Sequence, residues 1–408
     1  MNLDPSRPQP RPRPRRVLIL VQNLPVPLDR RVWLEATTLR QAGYEVSVIC
    51  PMGRGWTEPH EVIDGVHIHR YPQPSEAHSG ALAYAREWGG ALWRMARLAF
   101  RVRRGRGFDV IHGCNPPDLL FLVALLFRPF GVRYLFDHHD VCPELFEAKF
   151  GRRGLLWRAM LLFERLTFAA AAVSLATNES FRAIAESRGR MDPADVFVVR
   201  SAPRVETFVP GPGEPPTPGR VRLGYVGVIG QQEGMDLLVA ALDHLVRVLG
   251  RRDVEAVIVG FGPHLRAVKA DVAARGLQDH VRFAGALYDA ELLRVLNGID
   301  IGVSPDPRNA MNDISTMNKV MEYMTLEKPV VQFDLKEGRA SAGEASLYAR
   351  PNDPVDFARC LALLMDDPVR RAAMGRIGRA RVLDSLSWAH SAPRLLAAYD
   401  RLFAKMGR

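Results

Sequence analysis

The residues best suited to chemistry fall in three short stretches. In SPDPRNAMNDISTMNKVMEYM (304–324), Lys319 and Glu322 stand three apart, a spacing that puts both on one helix face. A strand-like run ends at Ser304, a polar loop follows, and Asp313 or Ser315 is placed to cap a helix beginning near Ser315. The amides of Thr316 and Met317 would then meet a diphosphate, with Lys319 offsetting its charge and Glu322 accepting two ribose hydroxyls. The plainer reading is a cap plus a surface ion pair. In FDHHDVCPE (136–144), His138, His139 and Asp140 follow another strand-like run and suit acid–base or sugar-binding work. No third well-spaced ligand set accompanies them, so no metal is expected. His112, in IHGCNPPD (111–118), reads as structural. Two glycine turns, GVIGQQEG (227–234) and VGFGP (259–263), let backbone approach a ligand at Gly227, Gly230, Gly260 and Gly262, although strand-to-helix turns favour glycine in any case. The third glycine of a dinucleotide fingerprint is misplaced, which disfavours a nicotinamide dehydrogenase.

These stretches need elements to position them. A continuous apolar run at 16–22, an alternating one at 65–72 and strand-like stretches at 45–51, 108–116, 132–140, 173–178 and 195–203 read as strands, with helical spacing at 30–43. The pattern restarts at 221–230 and continues through strands at 254–263, 281–287, 299–306, 329–335 and 345–350, with helices over 234–249 and 315–328. Strands alternating with helices predict doubly wound parallel sheets, whose ligands sit at the carboxyl ends of the strands. Between the halves, RVETFVPGPGEPPTPGR (204–220) holds five Pro and three Gly and marks a linker and candidate hinge. The expected organisation is a disordered Pro/Arg arm (1–16), a first α/β domain (17–203), the linker (204–220), a second α/β domain (221–385) and a helical tail (386–408).

Composition narrows the class. The chain has 408 residues, 47% hydrophobic and 25% charged, which excludes collagen-like, coiled-coil and wholly disordered proteins. The formal charge is +10, but five Arg against one Asp in residues 1–16 supply +4 of it. The remainder is only mildly basic, so nucleic acid is not expected as a partner. The segment LWRMARLAFRVRRGRG (92–107) interleaves Arg with Trp, Leu and Phe, and reads equally as a helix on an anionic membrane surface or as a solvated domain helix. Four Cys without paired spacing, no signal-like leader and no apolar run of spanning length lead to the expectation of a cytoplasmic chain, peripheral at most on a membrane.

In order along the chain, LGYVGVIG, AVIVGFGP, VRFAGALYDAELLRVLNGIDIGVSPD and STMNKVMEYMTLEKPVV, with DRRVWLEATTLRQAGYEVSVICP and RVETFVP, resemble the retaining GT-B glycosyltransferases of family 4 over about residues 16–385. Within that family the chain is most similar to the branch of bacterial O-antigen and exopolysaccharide enzymes, such as N-acetylfucosamine transferases. The resemblance implies two Rossmann-like domains facing across a cleft, with the nucleotide sugar held by the second. It implies that Glu322 contacts the ribose, that Lys319 and the 315–317 backbone contact the diphosphate, and that His139 approaches the donor sugar. There are departures. The first glutamate of the family's pair falls at Ile314, with Asn312 and Asp313 beside it, and the 227–234 loop lacks the Arg and Lys common there. The diphosphate is then left to Lys319, backbone amides and Arg30 or Arg31.

The expectation is transfer of a sugar from a nucleoside diphosphate donor, uridine-linked, to a lipid-linked or glycan acceptor in cell-surface polysaccharide synthesis, with retention. The donor is a co-substrate, and no cofactor or obligatory metal is expected. Two alternatives stand beside it: a sugar-nucleotide epimerase of the same fold, and a non-catalytic subunit of a glycan-assembly complex.

Overall fold

The computed structural model describes residues 14–73 and 81–407. Positions 1–13 of the expected arm lie outside the described residues. The arm ends earlier than its composition suggested. Arg15 bonds Asp400 (2.9 Å) and Tyr44 (3.1 Å), and Arg16 already begins the first strand.

The first sheet contains β1 (Arg16–Val21), β2 (Glu45–Pro51), β3 (His60–Ile63), β4 (Val66–Tyr71), β5 (Val110–Cys114), β6 (Arg133–His138), β7 (Val173–Ala176) and β8 (Val196–Val198). Its order is β3-β4-β2-β1-β5-β6-β7-β8, parallel except for the β3–β4 pair. The antiparallel edge strand β3 was not anticipated, because HEVI is short and half-exposed. The central strands are buried on both faces, hence the unbroken apolar run of β1, while β5 carries His112 into the interior. One face packs against Met95, Phe121 and Phe168, the other against Val32, Leu395 and Phe403.

The second sheet contains β9 (Val221–Val226), β10 (Val254–Val259), β11 (Val281–Gly285), β12 (Ile301–Ser304), β13 (Val330–Phe333) and β14 (Ser346–Ala349), all parallel, in the order β11-β10-β9-β12-β13-β14. In both sheets the first strand of the half lies inside the order, so the connections run outward on either side. That is the switch point where α/β sheets bind ligands.

The chain crosses between domains twice. After β8 it enters the Pro/Gly segment, which lies on the second domain: Phe208 is buried there, Gly211 N bonds Asn297 Oδ1 (3.0 Å) and Glu214 N bonds Arg294 O (2.9 Å). The tail then returns as helix Trp388–Ala404, with Leu395, Tyr399, Leu402 and Phe403 buried against the first domain. Ser391 Oγ clips the two crossings together by accepting from Arg200 N and donating to Arg200 O, both at 3.1 Å.

Candidate active site

The loops at the carboxyl ends of the strands meet between the two sheets. Helix Cys142–Phe150, which follows the His139 loop, touches the turn Gln231–Glu233 of the second domain. A cavity of about 280 Å³ opens between the domains, lined by Arg30, Trp33, Phe208, Leu292, Asn318 and Glu322 among others.

The helix carrying Lys319 and Glu322 starts later than expected. It spans Asn318–Thr325, while Ser315 and Met317 are extended. Neither Asp313 nor Ser315 caps it. The Asp313 carboxylate accepts from Lys336 N (3.0 Å), and the Ser315 hydroxyl turns back to Met311 O (2.7 Å). The amides exposed by the first turn are therefore those of Asn318 and Lys319, not only those of Thr316 and Met317. Thr316 is held from the first domain instead, its hydroxyl accepting from Asn178 Nδ2 (3.0 Å).

Lys319 and Glu322 do not pair with each other. The Lys319 ammonium donates to both oxygens of Asp306 (2.8 and 3.0 Å) and to Glu233 (3.3 Å), and lies over the Tyr225 ring. Burial opposes its charge, but Asp306, Tyr225 and Glu233 more than compensate and hold it well above the ordinary lysine value. Glu322 is met across the cleft by Arg30, Nη1 to Oε1 at 2.7 Å. Burial raises the Glu322 carboxyl, and Arg30 partly reverses that. Arg30 remains 57% exposed at its side chain, a cation on a flexible stem facing the cavity.

Gly227, Gly230, Gly260 and Gly262 are brought together, chiefly by contact of one loop with the other. A Cβ on Gly260 would lie 1.8 Å from Gly227 O, and one on Gly262 2.4 Å from Ile229 O. Gly230 faces the Gln232 side chain, and the Lys319 stem passes Gly227.

In the first domain, His139 is oriented by a buried network. Its Nδ1 lies 3.0 Å from Asp137 Oδ2, and Arg31 clamps the same carboxylate with two bonds (2.9 and 2.6 Å). Burial alone would discharge the imidazole, but Asp137 overrides it and raises His139 to about 9, which keeps the ring a cation at neutral pH. Asn115 accepts from the amides of both His139 (2.9 Å) and Asp140 (3.0 Å), which sets the loop. Burial raises the Asp140 carboxyl. His138 points the other way, stacked among Phe136, Phe168 and Phe181, and burial lowers it to about 3. His112 is structural, as expected, with Nδ1 2.9 Å from the Tyr399 hydroxyl.

Glu35, His112, Cys114 and Asp137 have ligand atoms close enough together for a metal ion. Their cation is already present: the Arg31 guanidinium bonds Asp137 and lies 3.2 Å from Glu35. Asp306, Glu233 and Asn115 were missed as site residues. All three stand in loops singled out above, but nothing in their spacing indicates that they reach Lys319 or the His139 amides. Ile314 packs on the first-domain core beside Met311, and its carbonyl accepts from Asn178 (2.9 Å).

Residues 28–202 match the family model of the glycosyl transferase 4-like domain, and residues 220–367 match that of glycosyl transferases group 1. The two halves of the chain are glycosyltransferase domains of the GT-B type. Among curated relatives, a 2-deoxystreptamine glucosyltransferase of Streptomyces kanamyceticus is 29% identical over 47% of this chain and 48% of its own. A GDP-mannose-dependent monoacylated alpha-(1-6)-phosphatidylinositol monomannoside mannosyltransferase of Corynebacterium glutamicum is 28% identical over 47% and 52%. The chain spans about half the length of these relatives. A sucrose-phosphate synthase from Thermosynechococcus elongatus superposes with a TM-score of 0.78 at 17% identity, covering 96% of this chain and 100% of its own. These comparisons support the glycosyltransferase class and the GT-B fold. They do not single out the O-antigen branch expected from the sequence.

Proposed function

We propose that this chain transfers a sugar from a nucleoside diphosphate donor to a hydroxyl acceptor, with retention of configuration. The observation that carries the reading is Glu322: a buried carboxylate on the first turns of a cleft helix, engaged by an exposed arginine of the opposite domain. The ribose hydroxyls take the place of Arg30 on Glu322. Arg30, released beside Asn318, moves to the diphosphate, which Lys319 cannot fully serve while Asp306 and Glu233 hold it. Arg30, the Asn318 and Lys319 amides and the charged His139 then meet the negative charge that grows on the leaving diphosphate. The bond from the anomeric carbon to the diphosphate oxygen breaks, the acceptor oxygen bonds on the same face, and the acceptor proton passes to the diphosphate. No step requires a metal.

The acceptor enters on the Asp140 side and is lipid-linked or a glycan, in cell-surface polysaccharide synthesis on a membrane. One relative is named for 2-deoxystreptamine and another for a phosphatidylinositol monomannoside, the latter a lipid. The donor base is uridine on the sequence reading, whereas that second relative is named for GDP-mannose.

A thermal-shift panel of UDP, GDP, dTDP and ADP tests this. Ligand at 100 times its dissociation constant adds about 2.7 kcal/mol, a rise of several degrees. The expected result is a shift with one diphosphate that is lost in Glu322→Ala and weakened in Arg30→Ala. A shift unchanged in Glu322→Ala overturns the site. No shift with any nucleotide favours the non-catalytic subunit, for which the occupied Lys319 and the apolar Ile314 would be the reason.

A further inference from the structure

Three helices cover one face of the first sheet: Ala81–Gly105, Phe121–Leu125 with the turn Arg128–Phe130, and Leu155–Ala170. Their inner sides belong to a single core through Met95, Phe121 and Phe168. Their outer sides are unusual for a soluble surface. The first helix exposes Trp93 (59%) and Phe100. The second segment exposes Leu122, Leu125, Leu126 and Phe130 (58%). The third exposes Leu155 (84%), Leu156, Leu162 and Leu166. The first helix touches the second and the second touches the third, so these exposed apolar side chains lie on adjoining elements, as at an interaction site.

The charge on the same face is one-sided. The three segments carry nine arginines and two glutamates. Glu87 is half-buried, and Glu164 is buried against Arg188. Arg97, Arg101, Arg104, Arg128, Arg158 and Arg165 are exposed. Two guanidinium groups lie over aromatic rings, Arg97 over Trp93 (4.7 Å) and Arg103 over Phe130 (5.1 Å), so charge and apolar surface sit side by side.

We propose that this three-helix face docks the chain on an anionic lipid bilayer, with arginines at the phosphates and the Trp, Phe and Leu side chains in the acyl boundary. Charge complementarity selects this occupant: a second copy would set the same excess of arginine against itself. The face also adjoins the Asp140 loop, because helix Cys142–Phe150 begins two residues after Asp140, ends at exposed Phe150 and packs on Leu155–Ala170. The proposal rests on the reading of a lipid-borne acceptor above and locates the surface that would bring the cleft to it.

The test is flotation of the full chain with vesicles of phosphatidylcholine alone or mixed with phosphatidylglycerol, without donor or acceptor. A failure of glycosyl transfer therefore leaves its outcome unaffected. The expected result is binding only to the anionic vesicles, weakened by salt. It should fall at least about a hundredfold in Arg97→Glu/Arg101→Glu/Arg104→Glu, at roughly a factor of five for each arginine removed and more from the reversed charge. Leu126→Ser/Phe130→Ser should bind weakly at any salt concentration. Circular dichroism melting confirms that each variant is folded. Absence of binding by the folded wild type, equal binding by the variants, or a dimer in solution that these substitutions dissociate would each overturn the proposal.

Discussion

Asp137 connects most of the first-domain site residues. It is fully buried, yet Arg31 and His139 hold its carboxyl well below the usual range against the cost of burial. The consequence for stability has a definite sign. A free imidazole discharges near pH 6.5, whereas folded His139 keeps its proton to about 9. Its contribution is complete below pH 6.5 and is lost as pH rises to about 9. Glu35 acts in the same direction, since burial and Asp137 raise it to about 8 from 4.5, so folding weakens as pH rises through that window. The wild-type melting temperature should therefore fall between about pH 6.5 and 9. Asp137→Asn should flatten that slope and lower stability by about 3–5 kcal/mol, because the buried Arg31 loses its bidentate partner. Melting curves of both proteins across this range check the prediction. An unchanged slope in the variant would show that His139 is not governed by Asp137.

At the scale of elements, the two glycine turns form one structure. Gly260 has φ +143° and Gly234 φ +67°, and the latter lies so close to Pro305 that a Cβ would meet its carbonyl oxygen at 2.0 Å. The turns after β9, β10 and β12 thus fit together without side chains between them, which brings Glu233 and Asp306 to Lys319. Gly260→Ala should cost roughly 2–5 kcal/mol from backbone strain and overpacking, and should weaken nucleotide binding as well. Chemical denaturation and a nucleotide titration measure the two effects; a stable variant with intact binding would mean the turns yield easily. These glycines were legible in the sequence as a loop signal, but the contact of one turn with the other was not. The helix over 315–328 was legible by its spacing. Its start was not, because Ser315 satisfies Met311 and Asp313 satisfies Lys336, both choices made by the folded loop.

At the scale of the whole molecule, the last helix belongs to the first domain. Leu395, Tyr399, Leu402 and Phe403 fill its core, and Tyr399 reaches His112 beneath the site. Phe403→Ala should cost about 3–5 kcal/mol, a large part of the marginal stability of a domain. Hydrogen exchange should localise the loss to residues 16–200 and not to the second domain that precedes the helix in sequence. Loss of protection in the second domain instead would contradict this packing. The Pro/Gly segment expected as the hinge is fastened to the second domain, and the two crossings are clipped together by Ser391 and Arg200.

Apolar runs alternating with helical spacings sufficed for two parallel α/β halves, because strands covered on both faces are largely apolar whatever their partners. The site loops were equally readable, since strand-to-helix turns carry their polar and glycine signals locally. What each site residue bonds to was not. Arg30 is 292 positions from Glu322, and Arg31 is 106 from Asp137. No spacing rule spans such separations. Sheet order and domain packing choose those partners, and with them the charges of Lys319, Glu322 and His139. The basic, aromatic helix at 92–107 was likewise ambiguous alone. Only when two further helices lie beside it do its arginines and aromatics become one face.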